Sequence, residues 1–194
     1  MSVRILSVLS LVFAIGFSSC QKELSLDTTN GTGGTGGGGG GGGSTSYYIK
    51  GKKDGVAFNY TANTMAKITN FGAGTNTLSL ALIAGAGGTS LEGLNIGGNF
   101  QNGTSPEVGE YSEADNTLDY VIAGVYNPNS MDMVWGAGVF FPTAKPLTIK
   151  IATKTATEMT GTFEGAFYKT DLGSGTIGPE FILFTEGEFK LKIQ

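Results

Sequence analysis

Histidine is absent from the 194 residues of this chain, which also holds only one cysteine, Cys20, and one arginine, Arg4. Without an imidazole, the sequence excludes Ser-His-Asp and Cys-His catalysis and histidine metal sites. With a single arginine, it lacks the bidentate guanidinium groups that bind phosphate and carboxylate. We therefore expect a protein that is not an enzyme and that uses no cofactor and no metal.

Positive charge is scarce as well. Twelve lysine and arginine residues stand against sixteen aspartate and glutamate residues, a formal net charge of −4. Nucleic acid and anionic lipid both attract proteins through clustered positive charge. The composition therefore predicts a protein that does not bind nucleic acid and is not drawn to a membrane by its charge.

The first 19 residues have the layout of a secretory signal peptide. Arg4 precedes an apolar run of 13 residues, Ile5–Phe17, and two small residues, Ser18 and Ser19, follow the run. A membrane-spanning helix needs about 20 apolar residues, so this run is too short to remain as an anchor. The pattern therefore predicts a leader, residues 1–19, that is cleaved on export.

The residues at the predicted cleavage point, Phe17-Ser18-Ser19-Cys20, resemble the bacterial lipobox, although that motif usually has leucine where Phe17 stands. The resemblance implies cleavage before Cys20 and attachment of a diacylglyceryl group and further acyl chains, such as palmitate, to that residue. Two or three acyl chains hold a protein at a membrane far longer than one chain does. The alternative is an ordinary signal peptide that leaves an unmodified cysteine behind.

The three residues after Cys20 bear on where the protein is sent. Gln21, rather than an aspartate, follows the cysteine, and by resemblance to the bacterial sorting rule this favours the outer membrane. Gln21-Lys22-Glu23 also resembles the short export tag of Bacteroidota surface lipoproteins. These resemblances imply an outer-membrane protein on a lipid anchor that faces the cell exterior, with a periplasmic orientation as the alternative.

Residues 20–45 form a segment of low complexity behind the predicted lipid attachment site. It is dominated by glycine and threonine and includes eight consecutive glycines, Gly36–Gly43. Such a segment cannot bury enough apolar area to offset its chain entropy, so we predict a disordered tether. Within it, Asp27-Thr28-Thr29 resembles the O-glycosylation site of Bacteroidota proteins, which would place a glycan on Thr28.

From residue 46 to residue 194 the pattern changes to short alternating runs separated by glycine, asparagine and aspartate. Leu78, Leu80 and Leu82 alternate with small residues, and Asp54-Gly55 is typical of a hairpin turn. We find no 3.6-residue period over ten residues. The pattern predicts one all-β domain with little or no helix, an antiparallel β-sandwich, with a partly closed, lipocalin-like barrel as the alternative.

Four short motifs in this domain carry a family resemblance. They are Asp54–Phe58, Gly109–Tyr111, Gly161–Phe163 and Thr185–Phe189. Together with the lipobox they resemble an uncharacterised Bacteroidota outer-membrane lipoprotein family that combines a lipid anchor with one β-rich domain. The resemblance implies a fold and a location, and it implies no active site.

Aromatic residues supply the candidate ligand site. Trp135 is the only tryptophan, and with Tyr111 and Tyr120 it would form a platform on which sugar rings stack. The competing interpretation is that Trp135 belongs to the core and that the tyrosines occupy strand edges, as β propensity favours.

The densest charge in the sequence is an acidic stretch between Glu107 and Asp119. Oxygen ligands of this kind suit Ca²⁺, but the spacing matches no calcium loop, and a solvated sheet edge explains the charges equally well. Paired carboxylates also hydrolyse glycosidic bonds when they are held at a suitable separation, which the sequence alone does not reveal.

Together these observations predict a membrane-anchored, surface-displayed lipoprotein whose β domain is a non-catalytic binding or structural module. One alternative is a glycan-binding accessory module, and a further alternative is a carrier of a small ligand. The expected partners are the membrane, through the lipid anchor, and a glycan or a protein of the cell envelope.

Overall fold

The computed structural model describes residues 46–70, 77–115, 119–130, 132–139, 141–142 and 144–194. All of them belong to one compact unit, Thr45–Gln194. The predicted leader, the tether and the proposed modification sites (Cys20, Gln21, Lys22, Glu23 and Thr28) lie outside the described residues. No helix within the described ranges is long and apolar enough to span a membrane.

The described part of the chain consists of antiparallel strands and one 3-10 helix of three residues, Glu113–Asp115. The all-β prediction with little or no helix is therefore confirmed. The strands are β1 (Tyr48–Lys53), β2 (Val56–Tyr60), β3 (Ala62–Asn70), β4 (Leu78–Gly85), β5 (Gly93–Phe100), β6 (Gly109–Ser112), β7 (Tyr120–Asn127), β8 (Met133–Gly138), β9 (Thr148–Lys154), β10 (Glu158–Asp171) and β11 (Ile177–Lys192).

These strands form a single sheet in the order β2-β1-β11-β10-β8-β7-β5-β4-β3. The long strand β10 divides its outer edge between two neighbours: residues 159–164 pair with β9, and residues 168–171 pair with β8. Strand β6 then pairs with β9. At the far end of the sheet, Ala66 of β3 forms a parallel bridge with Ile193, and the Gln194 N–H donates to the Ala66 carbonyl at 3.0 Å. The sheet thus nearly closes on itself, which fits the barrel alternative given with the sandwich.

The inner face of this sheet holds the core, because alternate residues of each strand point to the same side. Phe184 lies among several rings, with its centroid 4.8 Å from that of Phe167, 5.5 Å from Tyr126 and 5.6 Å from Phe58. Phe184 and Phe167 are fully buried. Aromatic side chains therefore fill this part of the space that the sheet encloses.

A glycine on β7 makes room for one of these rings. A Cβ added to Gly124 would lie 2.7 Å from the ring of Phe167, well inside the distance at which carbon atoms pack. Glycine at this position of the strand therefore serves ring packing, and the weaker strand propensity of glycine is the cost of that contact.

Four connections point toward one end of the sheet, which we call the loop end: β1–β2, β4–β5, β7–β8 and β10–β11. The Leu91 N–H donates to Asn129 Oδ1 at 2.7 Å, which joins the second connection to the third. The Leu172 N–H donates to the Asp132 carbonyl at 3.1 Å, which joins the fourth to the third. Strand β5 therefore begins at the loop end and finishes at the opposite end.

Candidate functional site

Three polar side chains converge at the loop end on one carboxylate oxygen of Glu92, and we call the four residues the Glu92 cluster: Lys53, Tyr60, Glu92 and Tyr126. The Tyr60 and Tyr126 hydroxyls each donate to Glu92 Oε1 at 2.6 Å, and Lys53 Nζ donates to the same oxygen at 2.9 Å. Lys53 Nζ also donates to the Tyr126 hydroxyl oxygen at 2.6 Å. The three other members of the cluster therefore all contact Glu92.

Each member is positioned by the end of a strand. Lys53 ends β1, just before the turn at Asp54 and Gly55, both of which have positive φ (48° and 80°). A hairpin of this kind matches the twist of its strands and fixes their register. Tyr60 ends β2, Tyr126 is the penultimate residue of β7, and Glu92 immediately precedes β5. The cluster is thus built from four separate stretches that only the closed sheet brings together.

The cluster is largely removed from water. Tyr60 and Tyr126 are buried, while the side chains of Lys53 and Glu92 are about one-quarter exposed (26% and 27%). Burial alone would raise the pKa of Glu92, but the hydrogen bonds from Tyr126, Tyr60 and Lys53 outweigh it and lower that pKa to about 2. Burial would likewise lower the pKa of Lys53, yet its bonds to Tyr126 and Glu92 leave that pKa raised.

The two tyrosines are shifted in the direction that keeps them neutral. Burial, reinforced by the negative charge and hydrogen bond of Glu92, raises the pKa of Tyr60 and that of Tyr126. At neutral pH the cluster therefore holds one carboxylate, one ammonium and two neutral hydroxyls. A general acid or base works best when its pKa lies near the working pH, and Glu92 is displaced away from that range.

Trp135 stands beside the cluster on the same inner face. It is the cross-strand partner of Tyr126 on one side and of Lys169 on the other, and side chains of directly opposed residues share a face at a Cβ separation of about 5 Å. Its side chain is half-buried and packs against the core. Lys169 in turn forms an ion pair with Glu180 at 2.8 Å.

Tyr111 and Tyr120 lie together, but at the opposite end of the sheet. Their ring centroids are 5.2 Å apart and both rings contact Phe100. Tyr120 is six residues before Tyr126 on β7, which places it about 20 Å along the strand from the position of Trp135. The structure therefore brings the two tyrosines together and does not bring Trp135 to them.

The hydroxyls of these tyrosines are occupied by the protein itself. The Tyr111 hydroxyl accepts from the Glu107 N–H at 2.9 Å and donates to the Glu107 carbonyl at 2.8 Å. The Tyr120 hydroxyl donates to Asp115 Oδ2 at 2.6 Å. Both residues thus connect the loop between β5 and β6 and the 3-10 helix to the sheet.

The acidic stretch is spread over several local contacts. A hydrogen bond from Lys154, at 2.8 Å, and a second from Ser105 lower the pKa of Glu107. Glu113 accepts from the Leu147 N–H at 3.0 Å, and its burial raises its pKa. The described residues contain no group of three or more acidic or sulfur ligands placed to hold a metal ion.

A groove of about 440 Å³ runs across the outer face of the sheet. Three of its carboxylates form ion pairs with lysines: Glu164 with Lys145 at 2.7 Å, Glu186 with Lys52 at 2.7 Å and Glu188 with Lys50 at 2.9 Å. Its remaining lining residues are Glu110, Thr148, Lys150, Thr162, Phe163 and Gly187.

The Glu92 cluster is not among the candidate sites that the sequence predicts. Lys53 and Glu92 are 39 residues apart and Tyr126 lies 34 residues beyond Glu92, so no local spacing connects them. The available signal was the position of Tyr60 and Tyr126 on the inward side of strands, where a buried hydroxyl needs a partner.

The chain matches no protein-family model, no curated protein and no solved structure. The class of protein that the fold and the site define is an all-β domain with one nearly closed antiparallel sheet.

Proposed function

We propose that the chain is a lipoprotein of the outer membrane, held through acyl chains on Cys20, whose domain at residues 46–194 is a non-catalytic binding or structural module. The sequence of the leader supports the anchor: a short apolar run ends at a lipobox-like Phe17-Ser18-Ser19-Cys20. Gln21-Lys22-Glu23 supports display on the outside of the cell. The low-complexity segment that follows would let the domain reach about 25–30 Å from the lipid surface.

The observation that carries the non-catalytic part is the state of Glu92. Three donors converge on its Oε1 within 2.9 Å, so the least exposed ion pair of the described residues stabilises a fixed charge and does not exchange a proton near neutral pH. Its effect is to join β1, β2, β5 and β7 at the loop end. A rigid end of this kind is what a binding or structural surface requires.

The small-ligand carrier receives less support. Phe58, Phe167 and Phe184 pack ring against ring inside the sheet, where a carrier of this architecture would hold its ligand. We therefore rank a surface function above an internal binding function.

The anchor is tested by Cys20→Ala, with the full chain expressed in a bacterium that processes lipoproteins. The wild-type chain should fractionate with the outer membrane, and the Cys20→Ala variant should move to the soluble fraction. Mass spectrometry of the mature N-terminus should show acyl chains on Cys20. Unchanged membrane retention of the variant, or an unmodified thiol, would contradict the proposal.

The direction of display is tested separately. Protease added to intact cells should remove the domain from the unmodified chain, and replacement of Lys22 and Glu23 by alanine should protect it. Ser44→Ala, in the same segment, is the matched control and should leave the domain accessible.

A further inference from the structure

We propose that the loop end binds a neutral oligosaccharide, with one pyranose ring stacked on Trp135 and hydrogen-bonded by Glu92. This inference rests on the proposed function, since it names the ligand of a non-catalytic surface domain. It also selects one of the sequence-based candidates, Trp135, and separates it from Tyr111 and Tyr120.

Trp135 provides the flat surface on which the sugar ring would stack. Trp135 lies on the inner face at the loop end, where its side chain packs against the core and remains partly exposed. A tryptophan that is partly exposed beside a hydroxyl-rich cluster suits a sugar, because the C–H face of a pyranose stacks on the indole while its hydroxyls form hydrogen bonds at the edge. Tyr126 and Lys169 are its cross-strand partners on the two neighbouring strands, so their side chains share its face of the sheet.

Two polar atoms at this place lack partners. The indole N–H of Trp135 donates to none of the groups in the described part of the chain, and Glu92 Oε2 accepts from none, since all three donors bind Oε1. No fully buried side-chain nitrogen or oxygen in the described residues lacks a partner, so both atoms reach solvent. A free donor and a free charged acceptor on either side of Tyr126 match the hydroxyl groups of a sugar, each of which both donates and accepts.

The charges select a neutral ligand. Lys53 is already paired with Glu92 at 2.9 Å and Lys169 with Glu180 at 2.8 Å. The loop end therefore offers no unpaired cation among the described residues to attract a uronic acid or a phosphate, while the solvent-accessible oxygen of Glu92 repels an anion. A ligand that brings hydroxyls and no charge avoids the desolvation of an unpaired ion.

The experiment uses the full lipoprotein in a detergent without a sugar headgroup. Trp135 is the sole tryptophan, so its fluorescence reports directly on the proposed platform. The chain is titrated with oligomers of glucose, mannose, xylose and N-acetylglucosamine, and with oligomers of galacturonic acid as the acidic comparison. At least one neutral series should shift the emission saturably, and the acidic series should not.

Calorimetric titration with the same oligosaccharide then tests the residues. Trp135→Leu keeps an apolar side chain for packing and should weaken binding about tenfold, which is about 1.4 kcal/mol and the upper part of what a stacked ring contributes beyond its buried area. Glu92→Gln should weaken binding by a smaller factor. Phe181→Ala is the matched control: Phe181 is an exposed aromatic that pairs with Tyr168 on the outer face, so its removal should leave the affinity unchanged.

Circular dichroism confirms that each variant is folded before it is titrated. No saturable signal with any neutral oligosaccharide would overturn the inference, as would preference for the acidic series or equal affinity of Trp135→Leu and the unmodified chain. Each of these results would leave the membrane fractionation of Cys20→Ala unaffected, so the sugar site and the lipid anchor fail independently.

Discussion

Lys52 and Lys53 are neighbours on β1, and their side chains point to opposite faces of the sheet. Lys52 pairs with Glu186 on the outer face at 2.7 Å, where the two side chains are 43% and 67% exposed. Lys53 pairs with Glu92 at 2.9 Å, where both side chains are about one-quarter exposed and two buried tyrosines complete the set.

The two pairs have the same chemistry and almost the same length, so their environment decides what they do. In water an ion pair gains little, because solvent screens the attraction and two long side chains lose freedom. In a partly buried site the pair also satisfies groups that would otherwise be desolvated without a partner. We infer that the inner pair organises the loop end and that the outer pair keeps the sheet surface soluble.

Glu92→Ala should give the largest effect that distinguishes the two faces. It removes the acceptor of Lys53, Tyr60 and Tyr126 at once, and leaving one charge and two hydroxyls without their partner should cost about 2–4 kcal/mol of unfolding free energy. Urea denaturation of the unmodified and variant chains measures this difference. Glu186→Ala is the outer control, and a loss as large as that of Glu92→Ala would refute the distinction.

The pH dependence sharpens the same comparison. The pKa of Glu92 is lowered from 4.5 to about 2 in the folded chain, so its contribution is fully present above about pH 4.5 and is lost as the pH falls toward 2. Glu92→Gln resembles the protonated residue. The difference in unfolding free energy between the wild-type chain and Glu92→Gln should therefore be largest near neutral pH and should narrow between pH 4.5 and 2. A difference that stays constant over that range would contradict the lowered pKa.

The fold was more predictable than the site, for physical reasons. Alternation along residues such as Leu78, Leu80 and Leu82 is local, so it predicted strand β4 and the all-β class. Closure of the sheet depends on Ala66 meeting Ile193, a contact between distant residues that no local pattern encodes. For the same reason the sequence left a sandwich and a partly closed barrel open.

The site was predicted only in part. Trp135 was chosen for its chemistry alone, and its position on the inner face depends on registers with β7 and β10. Tyr111 and Tyr120 were chosen with it, although their hydroxyls bind backbone and side-chain groups at the other end of the sheet. Residue type identified aromatic candidates, while strand pairing determined which of them share a surface.

Tyr126→Phe should have an intermediate effect. It deletes one hydroxyl that both donates to Glu92 and accepts from Lys53, while the ring that packs on Phe184 remains. A buried hydrogen bond to a charged group contributes about 1.5–3 kcal/mol, and the two remaining donors to Glu92 should reduce the loss to the lower part of that range. Chemical denaturation measures it. For the double variant with Tyr60→Phe, the loss of unfolding free energy should differ from the sum of the two single losses, because both tyrosines bind one oxygen.

Lys52→Ala should give the smallest effect, and it is the strictest test of the comparison because Lys53→Ala changes the adjacent residue of the same strand. Lys52 loses only an exposed ion pair with Glu186, so its replacement should change the unfolding free energy by less than about 1 kcal/mol. The change should shrink further in 1 M salt, where exposed charges are screened within about 3 Å. Lys53→Ala leaves Glu92 with two donors instead of three and should cost clearly more, with weak dependence on salt. Equal losses for the two lysines, measured in the same denaturant series, would mean that the inner pair is as well solvated as the outer one and that Glu92 does not organise the loop end.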